Sequence, residues 1–120
     1  MITEIFGVSQ NPGEDKRRWF TDDYWDIYVW QKSDGSISGI QVCYDKINKE
    51  RVLSWFMGKG YSHNKIDDGE ITGGFKRSPV VVKDGLFNKN FIGEKFFNDS
   101  KNIDNNLRDF IYDKIIYYTE

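Results

Sequence analysis

A 120-residue chain with 38% apolar and 30% charged residues reads as a single domain, 1–120, and the balance excludes a disordered polymer. Its net charge of −2 excludes a global basic field that would draw in nucleic acid. Cys43 is the only cysteine, so no internal disulfide forms, and no apolar run reaches the roughly 20 residues that span a bilayer. The start, Met1-Ile2-Thr3-Glu4, lacks the basic region and apolar run of a signal peptide, so the expected location is cytoplasmic, away from membranes. The aromatic share is 17% and alanine is absent, which reads as AT-rich coding bias.

In chain order, Ile2 to Val8 reads as a short first strand, followed by a loop from Ser9 to Glu14 with Asn11, Pro12 and Gly13. Asp15 to Phe20 opens a strand or forms one helical turn. Tyr24 to Gln31 and Ser36 to Asp45 are strands of a hairpin about Asp34-Gly35, a pair that suits a type I′ turn. Folding there sets Val29 opposite Ile40, Ile27 opposite Val42 and Trp25 opposite Tyr44, all on one face. The other face pairs Trp30 with Gly39, Tyr28 with Gln41 and Asp26 with Cys43. Arg51 to Met57 is the next strand. A turn at Asn48-Lys49 places Leu53 opposite Tyr44, Trp55 opposite Val42 and Met57 opposite Ile40, keeping the large apolar residues together.

Gly58 to Gly69 reads as a polar loop. Glu70 to Thr72 and Val80 to Val82 read as short strands, separated by Gly73-Gly74 and Ser78-Pro79, and Lys83-Asp84-Gly85 as a turn. The period then changes to about 3.6. Asn88 to Asn98 is a helix carrying Phe91, Ile92, Phe96 and Phe97 and weakened by Gly93; Asp104 caps a second helix that runs to about Tyr118. The apolar stripe of the second helix is Leu107, Phe110, Ile111, Ile115 and Tyr118. Strands first and helices last predict an α+β fold: an antiparallel β-meander sheet with two C-terminal helices packed on one face. Ile111 and Ile115 are expected against Trp25, Val42 or Trp55.

Three stretches carry possible chemistry. The second sheet face collects Tyr24, Asp26, Tyr28, Trp30 and Gln41, with Cys43, Ser54 and Phe56 beyond. Aromatic bodies with polar tips suit a wet groove for a small molecule or protein. The competing reading is a face covered by residues 1–20, with Trp30 filling the space left by Gly39. His63, the only histidine, precedes Asp67, Asp68 and Glu70, a set suited to acid–base work or a hard divalent cation. That spacing matches neither HExxH nor an EF-hand, and a solvated loop accounts for it. Lys16-Arg17-Arg18-Trp19-Phe20 would offer charges to phosphates and rings to bases, but Glu14, Asp15, Asp22 and Asp23 flank it, which favours an ion-pair network over a nucleic-acid partner. Glu50, Arg51 and Lys46 read as solvated surface. Cys43 reads as a small buried or half-buried strand residue. No nucleophile elbow, phosphate loop or dinucleotide fingerprint is present, so no cofactor is implied.

The segments Arg17-Arg18-Trp19-Phe20, Trp25 to Trp30, Cys43-Tyr44-Asp45-Lys46, and His63 through Asp67-Asp68-Gly69-Glu70 together resemble small prokaryotic proteins of unassigned function. The resemblance covers residues 17 to about 70 and transfers no activity or site residue. The expectation is a small binding module working through the aromatic and polar sheet face. Its rivals are an enzyme built on His63 and the acids behind it, and a nucleic-acid binder using Lys16 to Phe20.

Overall fold

The strict alternation that begins at Trp25 is continued by its neighbours into an antiparallel meander. The computed structural model describes residues 1–67, 80–83 and 87–119. Among these, β1 (Thr3–Ile5), β2 (Lys16–Thr21), β3 (Trp25–Gln31), β4 (Ile37–Tyr44), β5 (Arg51–Phe56), β6 (Gly60–Asp67) and β7 (Val80–Lys83) pair in chain order to form one seven-stranded sheet. Helices α1 (Lys89–Asp99) and α2 (Asn105–Ile116) complete the α+β fold.

The β3–β4 register is the expected one, from Trp25 opposite Tyr44 to Trp30 opposite Gly39. The turn that produces it differs. Lys32 O accepts the Gly35 N–H at 2.9 Å, Lys32 N–H bonds Ser36 O at 2.8 Å, and Gly35 adopts φ 92° while Asp34 stays out of the left-handed region. This is a three-residue loop ending in a left-handed glycine, not a two-residue type I′ turn. The pairing then shifts by one residue between Trp30 and Gln31, and that irregularity restores the predicted alignment.

The β4–β5 register is displaced by two residues from expectation: Ile40 faces Trp55, Val42 faces Leu53, and Tyr44 faces Arg51. A two-residue slip leaves every side chain on its own face, so the apolar pattern cannot discriminate between the two alignments. The turn decides. It is built on Asp45, at φ 58°, whose carbonyl accepts the Asn48 N–H at 3.2 Å. Met57 consequently leaves the core and is 51% exposed.

The stretch expected to be a polar loop from Gly58 to Gly69 contains β6. Gly58, at φ 82°, supplies the turn, and β6 pairs with β5 from Phe56–Gly60 to Arg51–Lys65. Its polar composition conceals a strand that contributes to the core side through Tyr61 and His63. The first strand is shorter than expected, and the Lys16 segment is β-strand, not a helical turn. The expected Val80 to Val82 strand is present as β7. The expected strand Glu70 to Thr72 and the turn residues Gly73-Gly74, Ser78-Pro79 and Asp84-Gly85 lie outside the described residues.

Trp25, Ile27, Val29, Ile40, Val42, Tyr44 and Leu53 form one buried cluster with Ile92 and Phe96 of α1 and Leu107, Ile111 and Ile115 of α2. Trp25 meets Phe96 edge-on at 5.8 Å, and Trp55 meets Phe110 at 5.7 Å. Asn88 and Asp104 cap the helices through the Phe91 and Leu107 amides. Helix α2 ends at Ile116, although Tyr118 still packs against Tyr61, His63 and Phe87. Phe91 and Phe97 remain exposed. Gly93 is buried where the helices meet: a Cβ there would lie 2.9 Å from Ile116 Cγ2. Close helix approach therefore offsets the roughly 1 kcal/mol that a mid-helix glycine costs.

The N-terminus is fastened to the same layer. Ile2 is fully buried and its N–H bonds Asp99 O at 3.0 Å, while the Trp25 indole donates to Asp99 Oδ2 at 2.9 Å.

Candidate functional site

With the helices on one face, the composition of the other is set by strand parity. On β3 it presents Asp26, Tyr28 and Trp30; on β4, Gly39, Gln41 and Cys43. The N-terminal strands lie beside these, extending the sheet. Arg17, Trp19 and Thr21 stand opposite Trp30, Tyr28 and Asp26, and Ile5 stands opposite Trp19. The Trp19 and Tyr28 rings are near parallel, 13° apart in plane with centroids at 6.1 Å; Trp30 follows 6.5 Å from Tyr28, and Phe56 5.3 Å from Trp30.

Trp19, Tyr28, Trp30 and Gln41 are all half-buried. They line a cleft of about 480 Å³ whose other wall is the segment Ile5 to Ser9, with Arg17 between. Its size falls in the range of ordinary small-molecule sites. Residues 1–20 therefore border this part of the face and do not seal it. The space beside Gly39 is taken by Phe56, not by Trp30 as the competing reading had it, since the three atoms nearest a Cβ at Gly39 are all of the Phe56 ring, the first at 2.3 Å.

The wall segment is held by a side chain that imitates a strand. Gln10 Oε1 accepts the Arg17 N–H at 2.8 Å, and Gln10 Nε2 donates to Arg17 O at 2.8 Å and Val8 O at 3.1 Å. Arg17 Nη2 adds a bond to Ser9 O at 3.1 Å. Phe6, 83% exposed, stands at the rim.

Two of the expected site residues take other roles. Tyr24 is not on this face: Asp22 Oδ1 accepts both the Tyr24 and Trp25 N–H groups, turning the chain before β3 begins. Its ring packs instead on Trp25 and Tyr44, beneath the Lys95 ammonium. Asp26 is on the face but already engaged. It accepts from the Trp19 indole at 2.9 Å and Thr21 Oγ1 at 2.7 Å, with Lys46 Nζ at 3.3 Å. Lys46, expected as plain surface, thus pairs with Asp26, and Asp26 orients Trp19. Burial pushes the Tyr28 phenol above its ordinary pKa, Asp26 adding to the rise and Arg17 opposing it. Arg17 and Trp19 were legible as site residues only through the strand reading of their segment, which puts both on one face.

The basic run Lys16 to Phe20 is divided by the same alternation. Arg18 points to the helix side and bonds Glu4 through both forks at 2.8 and 2.9 Å, and Phe20 is in the core. The partner is Glu4, not one of the flanking acids. The run therefore divides its charges and rings between the two faces.

His63 is 4% exposed on the core side. Its Nε2 lies 2.6 Å from the Tyr44 hydroxyl, and its ring is surrounded by Tyr44, Phe87 and Tyr118. Asp67 lies four residues further along the same extended strand, roughly 13 Å away along it. Asp68 and Glu70 lie outside the described residues. No group of three or more metal-ligating side chains occurs among the described residues.

A larger hollow of about 600 Å³ opens between the β3–β4 loop and the start of α2, lined by Trp55, Met57, Leu107 and Phe110. Its charged residues are engaged, Arg18 with Glu4 and Asp104 with the Leu107 amide. No helix among the described residues is long and apolar enough to cross a membrane. Comparison with protein-family models, curated proteins and solved structures finds no match for this chain.

Proposed function

We propose that this protein is a small cytoplasmic binding module whose ligand site is the cleft on the sheet face opposite the helices. The observation that supports this reading is the row of half-buried rings, Trp19, Tyr28 and Trp30, lining a cleft with Gln41 at hand. Rings of this kind supply broad contact area with little conformational entropy to lose, and the amide orients a polar group. A wall fastened at Val8 by Gln10 and at Ser9 by Arg17 reduces the ordering cost of binding further.

The test is a thermal-shift and NMR screen against metabolites and short peptides, repeated on Tyr28→Ala and Trp30→Ala. Hits should perturb the Trp19 and Trp30 indole signals and weaken about tenfold in either variant, while melting temperatures change little. Hits that bind both variants with unaltered affinity would overturn the reading.

A further inference from the structure

The two adjacent arginines of β2 have opposite electrostatic fates. Arg18 is satisfied by both carboxylate oxygens of Glu4. Arg17 has no carboxylate partner among the described residues; its guanidinium makes one bond, to the Ser9 carbonyl, and its Nε is buried without an acceptor. Arg17 is also the sole charged residue among those lining the cleft. A guanidinium offers five N–H donors in a planar fork; with Nε buried and Nη2 bonded to Ser9 O, this one keeps its Nη1 edge for a ligand.

The rest of the cleft matches a flat ligand. Trp30 and Tyr28 present ring surface, and the Gln41 amide makes no hydrogen bond within the described residues, which leaves it to meet a polar edge. Asp26, the nearby acid that would otherwise select a cation, is consumed by Trp19, Thr21 and Lys46. The Gln10 clamp fixes the Arg17 backbone N–H and carbonyl, and the bond from Nη2 to Ser9 O ties the guanidinium to the cleft wall.

We propose that the cleft binds a planar aromatic or conjugated carboxylate, with the carboxylate on Arg17 and the ring against Tyr28 and Trp30. This rests on the binding reading above and adds the ligand's chemical class. A single guanidinium matches a planar monoanion, whereas a phosphate dianion would call for a second cation or a nest of amides, and Arg17 is the one charge present.

The experiment compares 2-naphthoate with 2-naphthamide, which share ring and size and differ in charge. Each is titrated into the ¹⁵N-labelled protein while the Trp19 and Trp30 indole signals are followed. Naphthoate should bind about fivefold or more tightly, and added salt should weaken it alone. Arg17→Gln should reduce naphthoate to the level of naphthamide, and Arg17→Lys, which keeps the charge and loses the fork, should fall between them. Equal binding of the two ligands, or a preference that survives in Arg17→Gln, overturns the carboxylate assignment and leaves the binding site standing. Absence of binding by both ligands overturns the assignment as well. A Trp19 indole shift that persists with unaltered affinity in Trp30→Ala would instead overturn the site itself.

Discussion

Replacing Ile111 by alanine tests the packing that leaves the cleft face open. Ile111 is fully buried on α2 in the cluster shared with Trp25, Val42 and Leu53. The change removes three carbons. At roughly 0.8 kcal/mol per buried methylene, the transfer loss is about 2.4 kcal/mol. Incomplete collapse around the vacated space adds up to about 2 kcal/mol, so the expected cost is roughly 2.5–4.5 kcal/mol. Against a total of about 5–15 kcal/mol for an ordinary domain, that is a large fraction. Urea melts followed by tryptophan fluorescence should show a lower midpoint with an unchanged slope. Tyr117→Ala, at a position 67% exposed just beyond α2, is the control and should stay within about 0.5 kcal/mol. A loss below about 1 kcal/mol at Ile111 would refute the packing of α2 on this face.

Two further measurements probe individual groups. Burial pushes the Asp99 carboxyl up, but the Trp25 indole bond, the Lys95 bond and charge, and the N-terminal ammonium outweigh it, so its folded pKa lies below the ordinary value. Such a group contributes stability above its unfolded pKa, about 4, and loses it as pH falls through the folded value. Acid titration of stability should therefore be shallower below pH ~4 in Asp99→Asn than in wild type; parallel curves would count against the Asp99 contacts. The Cys43 thiol is pushed up to about 12, chiefly by burial, with Glu50 and Asp26 adding and Lys46 opposing. It should resist a disulfide reagent at pH 8 in the native protein and react once the chain is unfolded, and rapid labelling of native protein would contradict its burial.

Much of the candidate site was legible before the fold was known. Tyr28, Trp30 and Gln41 share a face because strand parity allows nothing else, and they line the cleft. The roles of Tyr24 and Asp26 were not legible. The first depends on an Asx turn at Asp22 that stops the alternation one residue early; the second depends on three donors that arrive from β2 and the β4–β5 turn. The open wall at Ile5 to Ser9 depends on Gln10, a side chain standing in for a strand, which no periodicity signals.

By itself the sequence determined that strands precede helices, the face each side chain takes within β3 to β5 and the β3–β4 alignment, since these follow from local period. Tertiary structure alone decided the two-residue offset of β5, which parity permits either way, and the strand character of the polar β6. It also decided what the two arginines meet, Arg18 the Glu4 carboxylate on β1 and Arg17 the cleft. Those outcomes depend on what lies across the sheet, and a partner distant in sequence leaves no mark on local pattern.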